Sequence, residues 1–398
     1  MRAIYLRVAA LGLLVLVSSS CQFGSIFGNN SLFGSSPSQP SCVVASQPTF
    51  AYVLNYTDAT ISMYTVNSCT GGLTLTSPSS VPVGVDTGIN SESMVLDPSG
   101  KFLYVANLVS NATDDATISM FAINSTTGVL TPMTPAMVPT GFFPQGIAVD
   151  PSGKFIYTAN SDDNTVSMFT INASSGLLSA ATPAEISVPP VFPSRGSDSS
   201  PNFAAVAPSG NFLYVSDQDN GSISIFAINP STGVLTPANP AGVLAGPDPF
   251  GITIDLSGKF AYVPDDDEGA VWMYTIDPAT GTLTQNPAIS VPAGNQPVGV
   301  AVDPSSKFAY VVNRIDNTVS MFTIDSTTGT LTPNSPATIA TGAGPFPIAV
   351  NASGSFAYVA NQNDNSITIY SINSSNGTLG NVGKAGTGQD PVSIVLTH

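Results

Sequence analysis

From residue 49 onward the chain alternates between short apolar runs and clusters of Gly, Pro, Asn, Asp and Ser, and no stretch carries a helical period. The run Lys307-Phe308-Ala309-Tyr310-Val311-Val312-Asn313 reads as a strand. Phe308, Tyr310 and Val312 point one way, Ala309 and Val311 the other. The phrase Phe-x-Tyr returns at Phe50, Phe102, Phe155, Phe212, Phe260 and Phe356, and the last four tyrosines, 214, 262, 310 and 358, are 48 residues apart. A fixed period of this size is the mark of a repeat architecture.

Each repeat holds four strand signals. The first, as in Val300-Ala301-Val302-Asp303, runs into a turn of the Asp-Pro-Ser-Gly type, where Asp accepts backbone bonds, Pro presets φ and Gly tolerates positive φ. The Phe-x-Tyr strand follows, then a third such as Thr318–Ile324. The fourth, beginning Thr330-Leu331-Thr332, is followed by prolines and is expected outermost, because proline cannot donate to a ladder. Four antiparallel strands per 48 residues predict a β-propeller blade. First-strand signals start near Met94, Ile147, Ala204, Ile252, Val300 and Ile348, and a seventh, Val392–Leu396, ends the chain. Phe50 has no first strand before it, so the C-terminal strand is expected to complete the N-terminal blade and close a seven-bladed, all-β ring over 49–398.

The region before residue 49 differs. Arg2 and Arg7 precede an apolar run, Val8 to Val17, then Ser18-Ser19-Ser20 and Cys21. That layout predicts a signal peptide over 1–20, and it resembles a bacterial lipoprotein signal with Cys21 as the lipidated first mature residue. Residues 21–48, rich in Gly, Ser and Pro, read as a flexible tether. An exported chain with Cys42 and Cys69 left over suggests a disulfide between them, which would stabilise by roughly 3 kcal/mol. The expected location is the cell envelope, with the membrane reached only through the anchor at Cys21.

Charge narrows the function. Nine Lys+Arg against 25 Asp+Glu give a net charge of -16, which argues against nucleic acid. A single histidine, His398, excludes Ser-His-Asp and Cys-His chemistry from the repeats. Tyr104-Val105-Ala106-Asn107 and Tyr358-Val359-Ala360-Asn361 resemble the YVTN-type repeats of lactonase-like seven-bladed propellers. That resemblance implies either a lactonase similar to 6-phosphogluconolactonase or an exported propeller with no assigned reaction.

Positions that break the repeat are the candidates for function. An Asn/Asp ring ends the second strands at Asn55, Asn107, Asn160, Asp217, Asp265, Asn313 and Asn361, with an acid or amide close behind; Asn-x-x-Asp reads as a capped turn between strands two and three. Asp265-Asp266-Asp267-Glu268 replaces Asn313-Arg314-Ile315-Asp316, and Trp272 stands where other blades have Ser or Thr. Dense carboxylates are hard oxygen ligands and raise calcium, or another divalent cation, as a cofactor, although no calcium-loop spacing supports it. Arg195 and Arg314 are the only arginines of the repeats, each able to hold an anion through a planar donor fork. Where the chain enters each inner strand it reads Glu92, Gln145, Asn202, Phe250, Val298, Phe346 and Val392, polar on one side of the ring and apolar on the other. Glu92, Asn107, Gln145, Asn160, Asn202, Asp217, Asp266 and Arg314 are therefore the expected pore-mouth ligand set. The favoured reading is a monomeric binding or scaffolding module for a carbohydrate, lactone or peptide. The alternative is a lactone hydrolase using polar or metal-binding groups of the pore.

Overall fold

The computed structural model describes residues 48–84, 90–108, 116–188, 190–192 and 199–397, with residues 90–92 described by their backbone alone. The signal peptide, the tether with Cys21 and Cys42, the Glu92 side chain, Arg195 and His398 lie outside the described residues. Cys69 is disulfide-bonded.

Among the described residues the strands form seven four-stranded antiparallel sheets. In six of them the strands follow chain order. In the other, Pro391–Leu396 pairs with Thr49–Asn55, in register Ala51↔Leu396 to Val53↔Ile394. Thr397 tightens the join, its N–H donating to Phe50 O (2.9 Å) while its Oγ1 accepts from Phe50 N (2.8 Å). The C-terminal strand thus closes the ring as the pattern predicts.

The Phe-x-Tyr strands are the core. Phe308–Asn313 and Phe356–Asn361 are buried at every position, whereas the outer strand Leu331–Ala340 buries only Leu331 and half-buries Asn334 and Ile339. The phrase also locks one blade to the next. Tyr52 Oη donates to Gly128 O (2.9 Å), Tyr104 to Gly176 O (2.7 Å) and, across the closure, Tyr358 to Gly71 O (3.0 Å). Each of those glycines has positive φ and faces the neighbour's phenylalanine; a Cβ on Gly128 would sit 2.2 Å from Phe50. A buried hydroxyl needs a partner, and glycine is what lets the partner turn come close enough.

The Asp-Pro-Ser-Gly turns behave as expected. Asp303 Oδ1 accepts from Lys307 N (2.8 Å) and Phe308 N (2.6 Å), while Oδ2 accepts from Ser305 N (3.0 Å) and its hydroxyl.

Blade five departs from the pattern. Its inner strand is only Thr253–Ile254. Pro264 sits in the middle of the sheet rather than at an edge. Its carbonyl accepts from Phe250 N (3.0 Å), but it has no N–H to return. The ladder is interrupted there, and only a single bridge, Pro249↔Asp265, survives beyond it.

Candidate functional site

Inner strands begin, and second strands end, on the same face of the ring, as the pairing Pro297↔Asn313 shows. On that face a cavity of about 250 Å³ opens at the channel mouth. One arc carries Gln145, Asn202 and Gln218, another Phe250, Phe346 and Val392, with Arg314, Gln362, Tyr56 and Asp390 also lining it.

The ring residues themselves are elsewhere. Asn107 and Asn160 are buried, with Nδ2 donating to Thr117 and Ser119 (2.9 and 2.8 Å) and to Thr165 and Ser167 (2.9 and 2.8 Å). Asp217, equally buried, accepts from Ser200 N (3.0 Å) and Asn220 N (3.2 Å). These three do not line the pore; they clamp second strand to third or hold the incoming loop. The acid three positions later reaches across the blade instead of capping its own turn. Asp163 accepts from Phe142 N (2.6 Å), Asp316 from Asn295 N (2.8 Å) and Asp58 from Gln389 N (2.6 Å).

Strand alternation explains the displacement. If the ring residue points into the blade, the next residue points out of it. Tyr56, Gln218, Arg314 and Gln362 occupy that following position and all line the mouth. Of the expected set, the mouth brings together Gln145, Asn202 and Arg314. Asp266, at the same following position, lies in blade five between Gln218 and Arg314. Gln218, Gln362, Tyr56 and Asp390 were not singled out, although reading one residue past the ring would have found the first three.

Arg314 is the cation of the mouth among the described residues. Its Nη2 donates to Gln362 Oε1 (2.9 Å), and its guanidinium lies 5.6 Å from the centre of the Phe346 ring. Phe203, Phe250 and Phe346 form a continuous aromatic arc, with successive ring centroids 5.5 Å apart. On the polar side Asn202 Nδ2 donates to Gln218 Oε1 (2.7 Å), and Gln218 in turn hydrogen-bonds Asp248.

Carboxylates rim this arrangement. Burial raises the Asp266 carboxyl above its ordinary value, Asp248 and Asp267 raise it further, and Arg314 pulls it back. Asp248 is raised in the same way, chiefly by burial. Burial pushes Asp265 up to about 6, although Glu268 N (2.8 Å) and Asp248 N (3.0 Å) donate to it. Trp272 is held at the blade edge, its Nε1 donating to Glu268 Oε2 (3.0 Å).

Among the described residues no three His, Cys, Asp or Glu side chains come together to hold a metal. The chemistry that remains is that of one guanidinium, several amides, carboxyls with raised pKa and an aromatic wall.

Comparison with known proteins follows the same line. The family model of lactonase seven-bladed β-propellers matches residues 41–192, 185–298 and 285–396. The chain belongs to the lactonase seven-bladed β-propeller family. No curated protein matches it. Among solved structures it is similar to a candidate 6-phosphogluconolactonase from Bacteroides fragilis, with 24% identity and a TM-score of 0.74, covering 89% of this chain and 99% of that one. It is also similar to the periplasmic gluconolactonase of Pseudomonas aeruginosa, with 19% identity, a TM-score of 0.68 and coverage of 88% and 99%. A protein from Lactobacillus plantarum gives 21% identity, a TM-score of 0.71 and coverage of 88% and 100%. At these identities the likenesses carry the fold.

Proposed function

We propose that the channel mouth binds a small lactone and opens it by hydrolysis. The observation that carries this is Arg314, fixed by Gln362 and Phe346 in the mouth cavity, with the neighbouring Asp266 carboxyl, raised chiefly by burial, feeling its charge. Membership of the lactonase propeller family supports the same choice.

Arg314 presents N–H groups toward the lactone carbonyl and stabilises the oxyanion that forms as water attacks. Asp266 takes the proton from that water. A carboxylate whose pKa is raised is a better base near neutral pH than an ordinary one. The tetrahedral centre then collapses, the ring C–O bond breaks, and the proton passes to the departing alkoxide, leaving a hydroxy acid. The glutamine amides bind ring hydroxyls, and the aromatic arc packs against the ring's apolar face.

The test is proton release by the purified protein on δ-gluconolactone, followed against the spontaneous rate over pH 4–8. Because the Asp266 carboxyl is raised, its basic form is lost as pH falls through that raised value. The acid limb of kcat/KM should therefore lie above the ordinary carboxylate range, and Asp266→Asn should abolish the limb along with most of the rate. Opening no faster than in buffer alone would sink the proposal.

A binding module remains the second reading, because most polar groups of the mouth are amides, which neither take nor give protons at neutral pH. Saturable binding of the lactone without turnover would select it.

A further inference from the structure

Below the mouth the channel continues into a second cavity of about 160 Å³ that shares Phe203, Phe346 and Val392 with it. Its wall is built largely from the apolar side chains of Ile252, Val298, Val300 and Ile348, together with Pro264 and Pro347, and also carries Ser93, Thr253 and Ser393. Pro264 belongs to this wall because the interrupted inner strand of blade five leaves it facing the channel. A mouth lined mostly by polar side chains thus opens onto a shaft lined mostly by apolar ones.

The charge around the mouth is one-sided. Asp248, Asp266, Asp267 and Asp390 stand against Arg314, whose guanidinium is already engaged by Gln362. Lys101, Lys154, Lys259 and Lys307 precede their second strands and so lie at the opposite end of the blades. Lys384 is on an outer strand, paired with Asp364 (3.0 Å). A phosphate dianion brought to this mouth would meet several carboxylates and, among the described residues, one guanidinium. At a few ångströms each like-charge pair is unfavourable even with strong solvent screening.

We propose that the substrate is an uncharged lactone with an apolar side chain, its ring held at the mouth by Arg314 and the amides and its chain lying in the shaft, and that phosphorylated sugar lactones are excluded. This rests on the lactone-hydrolase reading above. It separates this protein from what the name 6-phosphogluconolactonase would suggest for its structural neighbours.

The experiment compares kcat/KM for 6-phosphogluconolactone, δ-gluconolactone and a series of δ-alkyl lactones of increasing chain length. Each methylene buried in the shaft is expected to raise kcat/KM about three- to fourfold, until the shaft is full. The phosphorylated lactone is expected to fall at least tenfold below δ-gluconolactone. Val300→Trp, which fills the shaft, should erase the chain-length gain. Because that substitution could also disturb folding, its melting temperature is read alongside, and the wild-type series decides the matter without it. A flat response to chain length, or a phosphorylated lactone as good as the neutral one, overturns the inference while the hydrolase reading stands. No turnover of any lactone overturns both.

Discussion

At the scale of single residues, two neighbours on the chain have opposite duties. Asn107 donates from Nδ2 to Thr117 and Ser119 inside its blade, and the same geometry recurs at Asn160 and Asn313. Asn107→Ala leaves the buried Ser119 hydroxyl and the half-buried Thr117 hydroxyl short of a donor, and such losses cost roughly 1–3 kcal/mol. Urea unfolding should show that loss while the KM for δ-gluconolactone is unchanged; a weaker KM with intact stability would put Asn107 back among the ligand residues. The residue after the ring is the one that meets the channel, as Gln218, Arg314 and Gln362 show. In the sequence the ring was conspicuous because seven blades repeat it. Its successor was not, because Tyr56, Gln218, Asp266, Arg314 and Gln362 share no chemistry to catch the eye. Arg314 and Asp266 were legible only as departures from the repeat. The Asp248 carboxyl could not be read at all, since its link to Gln218 is made in space and not along the chain.

Strands and turns were the most legible scale. Turn chemistry and the Phe-x-Tyr phrase located all seven blades, because a strand buried on both faces must be apolar and its turns must be short and polar. The exception was blade five, where Ile252-Thr253-Ile254-Asp255 reads like its relatives yet pairs for only two residues. The cause, Pro264, sits in the neighbouring strand, so no inspection of the inner strand alone would have revealed it. Glycines give a test of the inter-blade lock. Gly71 has φ +72, and a Cβ there would lie 2.5 Å from Phe356, whereas a Cβ on Gly383 meets nothing within 4 Å. Gly71→Ala should lower stability by roughly 1–3 kcal/mol and Gly383→Ala by no more than about 0.5 kcal/mol. Equal melting temperatures for the two variants would mean that the contact of Gly71 with Phe356 does not limit the packing of blade seven on blade one.

For the whole molecule, closure is what makes the mouth a single site. The first blade borrows its inner strand from the C-terminus, and that strand also delivers Val392, with Asp390 just before it, to the cavity. Removing residues 391–398 strips the cover from Thr49–Asn55 and exposes a strand edge. The shortened protein should aggregate or lose its cooperative melt, and a soluble form with unchanged melting temperature would contradict the role given to the closure. The ring also accounts for the site's asymmetry, since each blade contributes one inner-strand entry and one turn, and drift among them divides amides from phenylalanines. The central claim, a lactone opened beside Arg314, is tested most directly by the rate of δ-gluconolactone hydrolysis in Arg314→Gln against wild type. Loss of one oxyanion donor of this kind should lower kcat by about 10²–10³, down to the spontaneous background, with the melting temperature preserved. Turnover by Arg314→Gln at the wild-type rate would contradict the account.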